Sequence, residues 1–114
     1  MITPPKDCVC MNPPFAYKDF EIRSIGTDST NGRYGEVSVH TCKKCNSLWL
    51  HYIVEYEAFS KSGRWFKGLI TEKEIETMTP EKAIKYIESL DWYFYGGSYF
   101  DSTGKIGKGF VRVD

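Results

Sequence analysis

The stretch VHTCKKCNSL, residues 39–48, places Cys42 and Cys45 three positions apart on a bend between two strand-like apolar runs. Zinc prefers four tetrahedral ligands, and thiolates two to four residues apart let one tight bend supply two of them. Backbone N–H groups in such a bend can donate to the sulfurs, and Lys43 and Lys44 offset part of the thiolate charge. The pair therefore predicts half of a metal site between two strands.

The other two cysteines form a second close pair, Cys8 and Cys10, in DCVCMNPP. Prolines on both sides keep this segment extended and non-helical. Four reduced cysteines in two close pairs are typical of one shared metal ion. We predict a single structural Zn²⁺ with four ligands: Cys8, Cys10, Cys42 and Cys45. Iron is an alternative, because four thiolates also accept it.

Three further interpretations of these residues stay open. Cys42 and Cys45 could form a redox dithiol, but such a site opens a helix after a strand, whereas NSLWLHYIVEY continues as a strand. The four cysteines could also be incidental buried thiols, although two near-adjacent pairs argue against chance. His40 and His51 lie near the second pair, and either could replace a cysteine as ligand or hydrogen-bond to a thiolate.

These residues resemble the zinc-ribbon group, in which two cysteine knuckles at hairpin tips clamp one ion. The resemblance covers the four cysteines and the hairpin from about residue 34 to residue 59. The first pair has one spacer residue instead of two, and Asn46 follows the second pair where a glycine often sits. The resemblance implies a fold element and a metal, and it assigns no activity.

The N-terminal sequence MITPPKDCVC carries no apolar region of the kind found in signal peptides. No stretch approaches the roughly 18 apolar residues expected of a membrane span. We therefore expect a cytoplasmic protein without a membrane partner. In that reducing compartment, cysteines are more often metal ligands than disulfides.

Alternating apolar and polar residues predict an antiparallel meander around the second cysteine pair. Val37, Val39 and Thr41 alternate with Glu36, Ser38 and His40, and a longer alternation follows in SLWLHYIVEYEAF. SKSG then forms a turn into a third strand. The predicted strands are 20–25, the alternating run of RYGEVSVHTC up to Cys42, 47–59 and 64–70.

The period changes at Thr71, where TEKE matches a capping box and predicts a short helix over 72–78. TPEKAIKYIESL predicts a second helix over 80–90, with Thr79 as N-cap and an apolar face that faces the sheet. The aromatic, glycine-rich C-terminal segment predicts strands at 92–95, 98–101 and 108–113. A chain of 114 residues is one domain by length, 1–114. The fold class is α+β: a zinc-ribbon-like antiparallel sheet, one or two short helices and a β-rich C-terminal segment.

Composition and motifs favour a non-catalytic protein. Fifteen basic and fifteen acidic residues cancel, so the net charge offers little attraction to phosphate backbones or anionic lipids. Four cysteines would close the coordination shell of a zinc ion, and neither HExxH nor the deaminase pattern occurs. GKIGKG, residues 104–109, lacks the spacing and the helix of a phosphate loop and is read as a hairpin.

Aromatic residues are the main candidates for a binding surface outside the metal site. They make up 16% of the chain, and six of them surround Gly96 and Gly97 in DWYFYGGSYF. This cluster can pack against the second helix, or it can shape a groove for a partner. The candidate partner-binding residues are Trp92, Tyr93, Tyr95, Tyr99 and Phe100.

Together these patterns predict a small cytoplasmic domain with structural zinc that binds a protein partner, as an adaptor or as an inhibitor or immunity-type protein. The first alternative is a nucleic-acid-binding zinc ribbon, with an exposed Trp49 or Trp65 stacking on bases. Its phosphate contacts would be Lys43, Lys44, Lys61, Arg64 and Lys67. The second alternative is an enzyme that uses the C-terminal aromatic groove.

Overall fold

The computed structural model describes residues 4–30, 34–54, 63–97 and 104–111. In this part of the chain, six antiparallel strands form one sheet in which each strand pairs with its neighbour in sequence. The strands are β1 (Phe20–Thr27), β2 (Glu36–Cys42), β3 (Leu48–Val54), β4 (Arg64–Leu69), β5 (Tyr93–Gly96) and β6 (Lys105–Gly107). The α+β fold class is therefore confirmed, and the predicted three-stranded meander is the centre of a larger sheet.

The strand alternation places two different sets of side chains on the two faces of the sheet. On β3, Leu50 and Tyr52 belong to one buried cluster, whereas Trp49 belongs to the other. The face with Leu50 packs against the helices, and we call it the helix face. The opposite face is covered by residues 4–19, the N-terminal arm, and we call it the arm face. The predicted continuation of β3 beyond Val54 and the turn at 60–63 lie outside the described residues.

Both predicted helices are present, and the second is shorter than expected. The first, α1 (Glu72–Thr77), begins as the capping box predicts, because the Thr71 hydroxyl accepts a hydrogen bond from the Glu74 N–H at 3.2 Å. Residues 80–82 form a 3-10 turn, and α2 covers only Ala83–Glu88. The Thr79 side chain makes no capping bond, and Lys82 N–H bonds to Thr79 O at 3.0 Å, so the first turn is tighter than an α-helix.

The C-terminal strand prediction is only partly confirmed. β5 matches the predicted 92–95, and the predicted strand 98–101 lies outside the described residues. The strand predicted at 108–113 is wrong over 108–111, because β6 instead covers Lys105–Gly107. Gly104 and Gly109 adopt positive φ values of 87° and 80° and flank this strand. The Val111 N–H then bonds to the Glu88 carboxylate at 2.9 Å instead of to a strand.

A buried carboxylate ties the loop after β1 to the middle of the sheet. Asp28 is 1% exposed, and it accepts hydrogen bonds from the hydroxyls of Tyr52 and Thr30, both at 2.6 Å. Burial alone would raise the pKa of Asp28, but the bonds from Thr30 and Tyr52 outweigh it and hold the pKa below its ordinary value of 3.8. The charged form of Asp28 therefore stabilises the folded state.

We expect Tyr52→Phe to lower the free energy of unfolding by about 1.5–3 kcal/mol near neutral pH, because a buried anion loses a donor. Since the folded pKa of Asp28 is lowered, its contribution is present above pH 3.8 and is lost as the pH falls through the folded pKa. The difference in free energy of unfolding between Tyr52→Phe and the wild type should therefore become smaller as Asp28 is protonated. Urea unfolding across this pH range measures it.

Tyr86→Phe is the matched control, because the Tyr86 hydroxyl donates to the uncharged Leu69 carbonyl at 3.1 Å. Its cost should be about 1 kcal/mol and should not vary with the ionisation of Asp28. Any release of metal in acid affects both variants equally. Equal pH profiles for the two variants would contradict the role assigned to Asp28.

Candidate metal centre

The second cysteine pair sits on a tight turn at the end of β2. Cys42 is the last residue of that strand, and its N–H donates to Ser47 O at 2.9 Å. The Asn46 N–H donates back to Cys42 O at 2.8 Å, which closes the turn. Asn46 has a φ of 63°, the left-handed conformation that glycine adopts most readily and asparagine tolerates. Asn46 therefore takes the place of the glycine that often follows such a pair.

The first cysteine pair lies on a 3-10 turn of the N-terminal arm, Val9–Met11. The Met11 N–H donates to Cys8 O at 2.9 Å, and the Asn12 side-chain amide donates to the same carbonyl at 2.8 Å. This turn lets two cysteines with one spacer present their sulfurs on the same side. The second pair thus stands on a turn between two strands of the sheet, whereas the first pair stands on an arm.

The four sulfurs converge on one point between the arm and the sheet. Their Sγ atoms all lie within 4.8 Å of one another. Cys8 Sγ is 3.6 Å from the sulfurs of Cys10 and Cys42, and Cys10 Sγ is 3.5 Å from that of Cys45. A tetrahedral ion with bonds of 2.3 Å to sulfur requires sulfurs about 3.8 Å apart. The donor set and its spacing therefore fit a zinc ion, and four thiolates at these distances also fit iron.

The electrostatics of the cluster favour a cation at its centre. Burial, followed by the neighbouring thiols, raises the pKa of Cys10 far above its ordinary value of 9.0. Burial would also raise the pKa of Cys45, but the hydroxyl and backbone N–H of Ser47 lower it to about 7. The Ser47 hydroxyl lies 3.1 Å from Cys45 Sγ. A divalent cation would offset the burial and the neighbouring groups that raise the pKa of Cys10.

Neither histidine belongs to the ligand group found among the described residues, which contains the four cysteines alone. His40 Nε2 lies 3.0 Å from the Ser38 hydroxyl, and the His40 ring stacks on that of His51 with centroids 4.3 Å apart. Burial, followed by the charge of Lys67, lowers the pKa of His40 to about 3. The two imidazoles therefore form a neutral stacked pair on the arm face.

The lysine that is buried on the arm face is Lys67, which was predicted to lie on the surface. Lys43 and Lys44, expected to offset the thiolate charge, are exposed. Lys67, expected on the surface as a phosphate contact, is 2% exposed. Burial lowers the pKa of Lys67 to about 7, against the attraction of thiolates at Cys10 and Cys42. The alternation in RWFKGL, which sets Lys67 on the same face as Trp65 and Leu69, is the signal that indicates its burial.

The aromatic residues proposed as a binding surface occupy different environments. Tyr93 is buried, Trp92 is half-buried, and Tyr95 is 36% exposed. Tyr99 and Phe100 lie outside the described residues. The predicted exposure of Trp49 or Trp65 is wrong, because they are 0% and 5% exposed. These two rings are core side chains and cannot stack on bases in this structure.

Comparison of the chain with protein-family models, curated proteins and solved structures found no match. The helices in the described part of the chain are all too short to cross a membrane. The functional assignment therefore depends on the chemistry of the residues themselves.

Proposed function

We propose that the protein is a non-catalytic binding domain in which one structural zinc ion fixes the N-terminal arm to the sheet. The observation that carries this proposal is the convergence of four cysteine sulfurs within 4.8 Å, two from the arm and two from the end of β2. Four thiolates fill a tetrahedral shell and leave no position for a substrate or an activated water. The reducing cytoplasm would keep the four thiols available for the ion.

We place the partner-binding surface on the helix face of the sheet, at a groove beside strands β5 and β6. We call it the β5–β6 groove, and we define it by Arg64, Phe66, Tyr93, Tyr95, Lys108 and Phe110. The Tyr93 hydroxyl donates to the carbonyls of Gly109 and Phe110 at 3.2 and 3.1 Å. This holds the backbone in place while the Phe110 ring stays 74% exposed. A held, exposed ring beside other aromatic rings is typical of a protein-binding anchor.

The charge of the groove indicates the chemistry of its partner. Arg64 and Lys108 line it, and its described lining contains no carboxylate. A partner segment that carries acidic and apolar side chains would satisfy both the cations and the rings. We therefore propose an acidic peptide segment of another protein as the ligand, as expected for an adaptor or an inhibitor or immunity-type protein.

Phe110→Ser tests this surface, and Ile106→Ser is its matched control. Both side chains are exposed and apolar, at 74% and 64%, but Ile106 pairs with Phe94 and therefore lies on the arm face. A panel of synthetic peptides would present each apolar sequence in acidic, neutral and basic forms. We expect acidic peptides to bind wild type and Ile106→Ser alike, and to bind Phe110→Ser roughly thirtyfold more weakly.

Fluorescence anisotropy at two salt concentrations measures the affinities. Equal loss in the two variants, or preference for neutral peptides, would contradict the groove as the docking surface. A single-stranded RNA oligonucleotide belongs in the same panel. Tight RNA binding that falls steeply with salt would replace this function with nucleic-acid binding.

A further inference from the structure

A small, mainly apolar cavity with a few polar groups lies on the arm face, apart from the β5–β6 groove. Its volume is about 60 Å³, several times the space that one water needs. The sheet contributes His40, His51 and Lys67, and the arm contributes residues 14–17. Pro14 and Tyr17 are themselves exposed, so the arm forms the solvent side of the cavity. The cavity thus combines a buried cation and two imidazoles with an edge that solvent can reach.

The amino group of Lys67 is buried against aromatic rings. Its Nζ lies 3.4 Å from the centroid of Phe20 and 4.5 Å from that of Phe15. Within the described ranges, its contacts are these rings, with no carboxylate or other hydrogen-bond acceptor on the amino group. A ring face attracts a cation, but it does not replace the hydrogen bonds that an ammonium group makes in water. A ligand with acceptor oxygens would supply them.

His40 also lines the cavity, but its unsatisfied ring nitrogen is enclosed by protein atoms and does not open into the cavity. Its Nδ1 is buried and has no hydrogen-bond partner, while its Nε2 contacts the Ser38 hydroxyl. When Nε2 accepts from that hydroxyl, Nδ1 carries the proton and is a donor. Buried polar groups are almost always paired, so a buried ammonium group with no acceptor at the wall of a cavity indicates a missing acceptor. A water could accept from the ammonium group, but a carboxylate forms the stronger, charge-assisted hydrogen bond.

We propose that this cavity binds a small monocarboxylate, with an oxygen on Lys67 Nζ. The rings of Phe15, Phe20 and Trp65 line the remaining wall and suit a short apolar substituent. The cavity has room for about four water-sized groups, which matches a ligand such as acetate. Phosphate and sulfate are multiply charged and more strongly hydrated, and the single buried cation cannot compensate them.

Acetate is the probe, and sodium chloride at equal ionic strength is the reference. We expect acetate to raise the thermal unfolding midpoint of the zinc-loaded protein above the chloride value, in a saturable manner. Lys67→Met keeps the length of the side chain without its charge, and it should weaken acetate binding at least tenfold. Lys73→Met, at an exposed lysine of α1, is the matched control and should behave as wild type.

A second measurement on the wild type does not depend on how the variants fold. In NMR spectra, the methyl protons of bound acetate should show nuclear Overhauser effects to the ring protons of Phe20 or Trp65. Equal midpoints in acetate and chloride, acetate binding that survives Lys67→Met, or equal stabilisation by phosphate would each overturn the proposal. The proposal would also be overturned if Lys67→Met lost zinc and acetate had no effect on the wild type. Lys67 would then act only by stabilising the thiolates.

Discussion

Serine at Cys10 or at Cys42 is expected to abolish retention of the metal and to release the N-terminal arm from the sheet. The two thiols are both fully buried, and they come from the two elements that the ion would join. A serine hydroxyl does not replace a thiolate as a zinc ligand. The loss of affinity should exceed the 10–100-fold that removal of an outer-shell partner causes. Native mass spectrometry of protein purified under reducing conditions should show one zinc per wild-type chain and none in either variant.

Ser47→Ala is the matched control for these two substitutions. It removes only the hydroxyl that lies 3.1 Å from Cys45 Sγ and leaves all four ligands in place. It should weaken zinc binding by no more than about 10–100-fold and keep one ion per chain. Metal that persists undiminished in Cys10→Ser would show that Cys10 is not a required ligand. The absorption spectrum of the same samples separates zinc from iron, because iron thiolates absorb visible light.

The thermal unfolding of the wild type should respond to a chelator, because metal binding to the folded chain adds to its stability. In Cys10→Ser and Cys42→Ser the chelator should have no further effect. Since the sheet has a helix face with its own buried cluster, we expect the chelated protein to retain β-structure while the arm loses its protection from amide exchange. Complete unfolding on chelation would instead make zinc a condition of the whole fold.

Local patterns predicted the central elements well, because each is encoded within a few residues. The alternation around Val39 and Leu50 indicated paired strands, and these residues are partners in the sheet. The capping box at Thr71 marked the start of α1 to the residue. The strand β6 was missed because its three residues lie between glycines, where turn preferences outweigh the weak strand signal of Ile106. Its partner, β5, supplies the pairing that a local pattern cannot show.

The sequence predicted which four cysteines form the metal centre, but it did not predict how the backbone brings them together. The spacing of the two cysteine pairs predicted that they meet, and the structure brings their sulfurs together. The 3-10 turn at Val9–Met11 allows two cysteines with one spacer residue to point their sulfurs to the same side. This turn was not predicted, because the surrounding prolines indicated an extended segment. The burial of Lys67 depends on the arm covering that face of the sheet, a long-range contact that a strand pattern alone leaves open.

Trp49→Ala should produce the largest loss of stability among the core substitutions on the arm face. Trp49 is 0% exposed and packs with Cys10 and Cys42, and its ring lies 5.7 Å from Phe94 and 6.1 Å from Trp92. Removing it should cost about 3–5 kcal/mol and should also weaken zinc binding, because Trp49 belongs to the same buried cluster as Cys10 and Cys42. Urea unfolding with excess zinc, and zinc titration against a competing chelator, measure the two effects.

Two companion variants separate the loss of packing from the loss of the metal. Ile87→Ala creates a comparable cavity on the helix face, where Ile87 is 0% exposed, and should cost about 2–5 kcal/mol without changing zinc affinity. Trp49→Phe should cost clearly less than Trp49→Ala, because it keeps an aromatic ring and removes a buried indole N–H that has no partner in the described residues. If Ile87→Ala weakened zinc binding as much as Trp49→Ala did, the two faces of the sheet would not be energetically separate. Zinc affinity would then report the stability of the whole sheet, and the arm face would have no special part in holding the ion.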